Sequence, residues 1–74
     1  METYEVRFCY YDKNGELNYS YEPFNEDAEE ARRWFYQQTP TEKHPIIQLY
    51  GMITYEEEDG EWTYDEWCID EKKL

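Results

Sequence analysis

Tyr4-Glu5-Val6-Arg7-Phe8-Cys9-Tyr10-Tyr11 runs into Asp12-Lys13-Asn14-Gly15-Glu16 and then into Leu17-Asn18-Tyr19-Ser20-Tyr21. The first segment alternates. Tyr4, Val6, Phe8 and Tyr10 fall on one side of an extended chain, and Thr3, Glu5, Arg7, Cys9 and Tyr11 on the other. Period two with β-branched and aromatic residues predicts a strand over residues 3–11. Asn14-Gly15 is a strong hairpin signal, because a tight two-residue turn needs positive φ at both central positions. The return strand, residues 17–22, alternates in turn. A turn centred on Asn14-Gly15 pairs Tyr10 with Tyr19 and Phe8 with Tyr21, and so gathers Leu17, Tyr19 and Tyr21 on the Val6 side. A slip of one residue would send all three to the other face.

Pro23 is expected to end this strand, since it has no N–H to give to a ladder. A helix over about residues 26–38 follows. Asn25 is its expected N-cap. Glu26, Asp27, Glu29 and Glu30 crowd its positive end, and Glu29 stands four residues before Arg33, the spacing of a supportive ion pair. Phe24, Ala28, Ala31 and Phe35 form an apolar stripe with Trp34 beside it. Thr39-Pro40 stops the helix.

Residues 46–56 are the most apolar stretch and predict a third strand, with Gly51 marking a place for a bulge. Asp59-Gly60 is a second turn signal, and residues 61–70 return as the fourth strand. A turn on Asp59-Gly60 pairs Tyr55 with Tyr64 and Met52 with Trp67. These pairs lie on opposite faces. Either a bulge swaps the faces, or the sheet carries aromatic residues on both sides. The order is strand, strand, helix, strand, strand. The expected fold is α+β (ββαββ), two β-hairpins flanking one helix, with an antiparallel four-stranded sheet and the helix packed on one face. At 74 residues, the chain is read as a single domain, 1–74.

Such a domain buries only about 60% of its unfolded surface. Aromatic residues, 20% of the chain, offset this because each buries a large area. The mean hydropathy is −1.22 and the formal net charge is −12. Solubility alone asks for a magnitude of about 2–8. This excess of negative charge disfavours direct binding to nucleic acid or to an anionic membrane. Met1-Glu2-Thr3-Tyr4 has no basic segment leading into an apolar run, and no stretch is apolar enough to span a bilayer. The two cysteines are then expected to be reduced thiols, and the chain to be cytoplasmic.

No catalytic residue, metal ligand or cofactor is expected. His44 is the sole histidine and reads as an exposed loop residue beside Pro45. Cys9 and Cys68 make no zinc spacing; they would be neighbours if the first and last strands paired. The Asp12–Glu16 loop lacks the glycine that a calcium loop needs at its sixth place. What stands out is the acidic run Glu56, Glu57, Glu58, Asp59, Glu61, Asp65, Glu66, Asp70 and Glu71, interleaved with Trp62, Tyr64 and Trp67. Disordered acidic tails lack aromatics, so this run predicts a folded, strongly negative surface. Same-face residues along a strand lie roughly 6.6 Å apart, a spacing close to that of successive charges on a nucleic-acid backbone. Such a surface suits a basic nucleic-acid-binding site on another protein. The expected partner-binding residues are Glu56, Glu57, Glu58, Asp59, Glu61, Asp65 and Glu66, with Trp62 and Trp67 as anchors.

The opening strand Tyr4-Glu5-Val6-Arg7-Phe8, the turn Asp12-Lys13-Asn14-Gly15 and the helix start Asn25-Glu26-Asp27-Ala28-Glu29-Glu30-Ala31 together resemble small acidic counter-defence proteins of phages and mobile elements, anti-CRISPR proteins among them. The resemblance spans the whole chain as layout, composition and charge. It implies a non-enzymatic inhibitor in the host-cell cytoplasm, acting as a DNA mimic on the basic surface of a defence complex. The other reading is a small interaction module, monomeric or homodimeric, whose interface is a second sheet face bearing Tyr11, Tyr50, Met52, Trp67 and Ile69.

Overall fold

A computed structural model describes residues 1–74. Strands β1 (Glu2–Tyr11) and β2 (Leu17–Asn25) precede helix α1 (Ala28–Gln37), and β3 (Ile46–Glu56) and β4 (Trp62–Lys73) follow it. The fold is α+β, with one helix and an open four-stranded antiparallel sheet in the order β2-β1-β3-β4. β1 and β3 are the central strands. Cys9 and Cys68 are thus not on paired strands; β3 separates them, and both thiols are free.

β1 is buried on both sides. Val6 is wholly buried with Ala31, Phe35, Ile47 and Leu49, and Tyr4, Phe8, Phe24, Trp34 and Ile69 pack around this cluster. Burying each large member contributes about 1.5–3 kcal/mol. On the opposite side Glu5, Arg7 and Cys9 are also buried. The sheet thus has a Val6 face and an Arg7 face.

The first hairpin corrects the expected register. Cys9 lies opposite Tyr19 and Arg7 opposite Tyr21, so Leu17, Tyr19 and Tyr21 belong to the Arg7 face. The cause is the loop. The Asp12 N–H donates to the Glu16 carbonyl at 2.9 Å, leaving Lys13, Asn14 and Gly15 as the connection. Gly15, at φ +78°, supplies the left-handed residue that closes a three-residue loop. The Asp12 carboxylate fixes it further, accepting from the Asn14 and Glu16 amides at 2.8 and 3.0 Å and from Asn18 Nδ2 at 2.7 Å.

Pro23 does not end β2. The strand continues to Asn25, because β2 is an edge strand and a residue without N–H is tolerated there. Asn25 itself turns at φ +52°. The helix cap is Asp27, whose side chain accepts from the Glu30 amide at 3.0 Å. Ala28 is exposed rather than part of the buried stripe, and no ion pair joins Glu29 to Arg33. The other helix end is held by Lys72, whose Nζ donates to the carbonyls of Phe35, Tyr36 and Gln38 at 3.0, 2.9 and 3.0 Å. His44 is half-buried against the rings of Phe8 and Tyr10.

The second hairpin repeats the first loop's logic. Glu57 N–H donates to the Glu61 carbonyl, and Gly60 at φ +86° closes the connection. Thr54 therefore faces Tyr64, and Gly51 faces Trp67, in place of the expected Tyr55–Tyr64 and Met52–Trp67 pairs. The register is unbroken between these two pairs, so the sheet carries aromatic residues on both faces; the one register shift of this hairpin falls at Leu49/Tyr50 and not at Gly51. Gly51 instead makes room: a Cβ there would stand 2.7 Å from the Trp67 indole. No helix is long and apolar enough to cross a membrane.

Candidate protein-docking site

The β3–β4 hairpin extends beyond the rest of the sheet. β1 begins with Glu2 opposite Ile53, whereas β3 and β4 stay paired out to Glu56 and Trp62. Past the Met1–Thr54 main-chain hydrogen bonds, the ribbon from Tyr55 to Tyr64 has no third strand. Its tip carries Glu56, Glu57, Glu58, Asp59 and Glu61, all exposed. The loop is ordered by its own groups: the Gly60 amide donates to the Glu57 carbonyl at 2.9 Å, the Glu61 amide to Asp59 Oδ1 at 3.1 Å, and Thr63 Oγ1 to Glu57 Oε1 at 3.2 Å. None of the tip carboxylates has an internal cation. The ion pairs of the molecule join Arg7 to Glu5, Arg7 to Glu66, and Lys73 to Glu71.

The nine residues expected to bind a partner do not form one face. Directly opposed residues of an antiparallel pair share a face. Glu56, Trp62 and Glu66 lie on the Arg7 face, and Asp65 and Trp67 on the Val6 face. The two tryptophans point to opposite sides. Trp62 is 70% exposed, whereas Trp67 is 39% exposed and covers Gly51. Asp65 accepts from the Tyr55 hydroxyl at 3.4 Å. Glu66 Oε2 is engaged by Arg7 Nη2, which turns this carboxylate toward Arg7 and away from the tip. The tip set is therefore Glu56, Glu57, Glu58, Asp59, Glu61 and Trp62. The alternative interface also divides: Tyr11, Tyr50 and Met52 share the Arg7 face, but Trp67 lies on the other, and Ile69 packs against the core.

Beside the ribbon, the Arg7 face holds a groove of about 330 Å³. Thr3, Glu5, Arg7, Met52 and Thr54 make its floor, with Tyr19 and Tyr21 on the β2 side and Tyr64 and Glu66 on the β4 side. Arg7 Nε donates to Glu5 Oε2 at 2.6 Å and Nη2 to Glu66 Oε2 at 2.7 Å. Its guanidinium carbon lies 4.3 Å from the Tyr19 ring centre and 3.7 Å from that of Tyr50, a cation–π arrangement. Burial works against the Arg7 charge, but the hydrogen bonds to Glu66 and Glu5 outweigh it and hold the guanidinium's pKa above its ordinary value. Burial also raises the pKa of Tyr50, and of the Cys9 and Cys68 thiols nearby.

This groove escapes a reading that places Tyr19 and Tyr21 with Val6. Its signal lies in the loops: Asp12-Lys13-Asn14-Gly15-Glu16 and Glu57-Glu58-Asp59-Gly60-Glu61 share an acidic first residue, Asn or Asp third, then Gly-Glu. That shared spacing suits a three-residue loop with its glycine last. No protein-family model, curated protein or solved structure matches this chain.

Proposed function

We propose that this chain is a non-enzymatic inhibitor that docks its acidic β3–β4 ribbon onto a basic nucleic-acid-binding surface of another protein. One observation carries the reading: the tip carboxylates Glu56, Glu57, Glu58, Asp59 and Glu61 crowd a projecting, internally hydrogen-bonded hairpin with no cation of their own. Their mutual repulsion is relieved when a partner's arginines and lysines meet them. Trp62 beside them offers an amphipathic anchor. The α1 helix packs on the Val6 face and leaves the Arg7 face and the ribbon for the partner. The likeness to phage counter-defence proteins names a host defence complex as the target class, in the host cytoplasm. Salt and nucleic acid provide the test. Binding to a basic partner should weaken steeply with ionic strength, and duplex DNA or RNA should compete with it. A flat salt response together with simultaneous binding of nucleic acid would count against the reading.

A further inference from the structure

The groove over Arg7 is small, tyrosine-walled and negative. Tyr19, Tyr21 and Tyr64 are 46%, 58% and 63% exposed; Arg7 takes one face of Tyr19, while Tyr21 and Tyr64 offer aromatic surface to a ligand. At about 330 Å³ the groove sits at the low end of ligand-site volumes, suited to a side chain and not to a large cofactor. The charges decide which kind of side chain. Arg7 is walled off: its side chain is 6% exposed, it donates to two carboxylates, and aromatic rings lie against it. An incoming anion cannot reach it. Glu66 can be reached, because its side chain is 38% exposed. Two carboxylates and one guanidinium leave the floor net negative, and ring faces attract cations. Arg7 itself displays the binding mode, a guanidinium held by carboxylates over tyrosine rings.

We infer that this groove captures an arginine or lysine side chain of the docking partner, the cation seated beside Glu66 as its counter-charge, in the groove whose two walls carry Tyr21 and Tyr64. This rests on the ribbon reading for the partner's identity, but not for the chemistry of the groove. The groove would give the partner a second contact beside the ribbon tip, set on the four-stranded part of the sheet.

The test uses hexa-arginine peptide as the probe, with hexa-citrulline as its neutral control, in a ¹⁵N NMR titration of the whole chain. Hexa-arginine should shift the amides of Arg7, Tyr21, Tyr64 and Glu66 saturably, and hexa-citrulline should not. Tyr21→Ala and Tyr64→Ala remove exposed rings and should each weaken the groove's binding by about two- to five-fold. The ribbon variant Glu57→Gln, Glu58→Gln, Asp59→Asn should leave the groove shifts in place. If the peptide shifts only residues 56–62 and the tyrosine variants bind as the parent does, the groove proposal is overturned and the ribbon reading stands. If the groove shifts persist while the ribbon amides never respond, the ribbon reading fails and the groove proposal stands. Equal response to citrulline overturns the cation assignment.

Discussion

Arg7 and Glu66 stand 59 positions apart in sequence and meet at 2.7 Å across the Arg7 face. Through this pair the opening strand binds the last one, which it never touches in the sheet order. The contact takes one carboxylate out of the acidic run and fixes the groove beside the ribbon.

Arg7→Leu should be severely destabilising. It leaves Glu5 buried at 5% exposure with no counter-charge. Breaking a buried pair in this way costs about 3–5 kcal/mol, a large share of a domain stabilised by roughly 0.1 kcal/mol per residue. Adding Glu5→Gln and Glu66→Gln to Arg7→Leu should recover much of the loss, since no unpaired charge then remains. Urea unfolding measures both. A loss under about 1 kcal/mol for Arg7→Leu would mean that the pair is solvated and the groove floor is loose.

Acid should loosen the first hairpin locally. The Glu16 amide most of all, against desolvation and with help from the Asn14 amide and the Asn18 side chain, holds the Asp12 carboxyl below its ordinary value of 3.8. A carboxyl with a depressed folded pKa stabilises the fold above its unfolded pKa, and that contribution fades as pH falls through the folded value. The protection factors of the Gly15 and Glu16 amides, taken against intrinsic exchange at each pH, should therefore fall below about pH 4. Asp12→Ala should abolish this pH dependence. An Asp12→Ala profile that matches the parent would contradict the loop's account.

Alkali should destabilise the whole domain. Burial is the leading cause that raises the Cys9 and Cys68 thiols above 9.0 and the Tyr50 phenol above 10.0. The folded state then keeps protons that the unfolded chain releases. This stabilisation is complete below the unfolded pKa and is lost as pH rises through the folded one. Melting temperature should fall from about pH 9 upward, and Cys9→Ala should flatten the first part of that fall. A profile level from pH 8 to pH 11 would be the opposing result.

Gly51→Ala should push the Trp67 indole outward. The new Cβ would meet ring atoms at 2.7 and 2.8 Å, and overpacking of this kind costs about 1–3 kcal/mol. Tryptophan fluorescence should move to the red. In a Trp67→Ala background the same change should be close to neutral. A double-mutant cycle with no coupling would show that the two residues do not constrain each other.

Much of the architecture is legible in local pattern. The alternation of Tyr4, Val6, Phe8 and Tyr10, the acidic start of α1 and the two turn glycines place every element in order. Registers are less legible. Asn14-Gly15 serves equally as the centre of a two-residue turn or as the end of a three-residue loop, and the choice falls to the Asp12 carboxylate, which gathers the Asn14 and Glu16 amides. That one-residue difference moves Tyr19 and Tyr21 to the other face. The burial of Arg7 depends on strand order, with β3 bringing Tyr50 and β4 bringing Glu66. No local pattern encodes that order. The acidic tip was legible as a tip; that Asp65 and Trp67 leave its face follows only from the true register.

The most direct test of the docking account is affinity capture with the parent chain and with Glu57→Lys, Glu58→Lys, Asp59→Lys. The account predicts that the parent, at low salt, retains proteins that are themselves released by duplex DNA or RNA and by raised salt. It predicts that the charge-reversed chain, folded by circular dichroism, retains none of them. Retention of the same proteins by the charge-reversed chain at ordinary salt would contradict it.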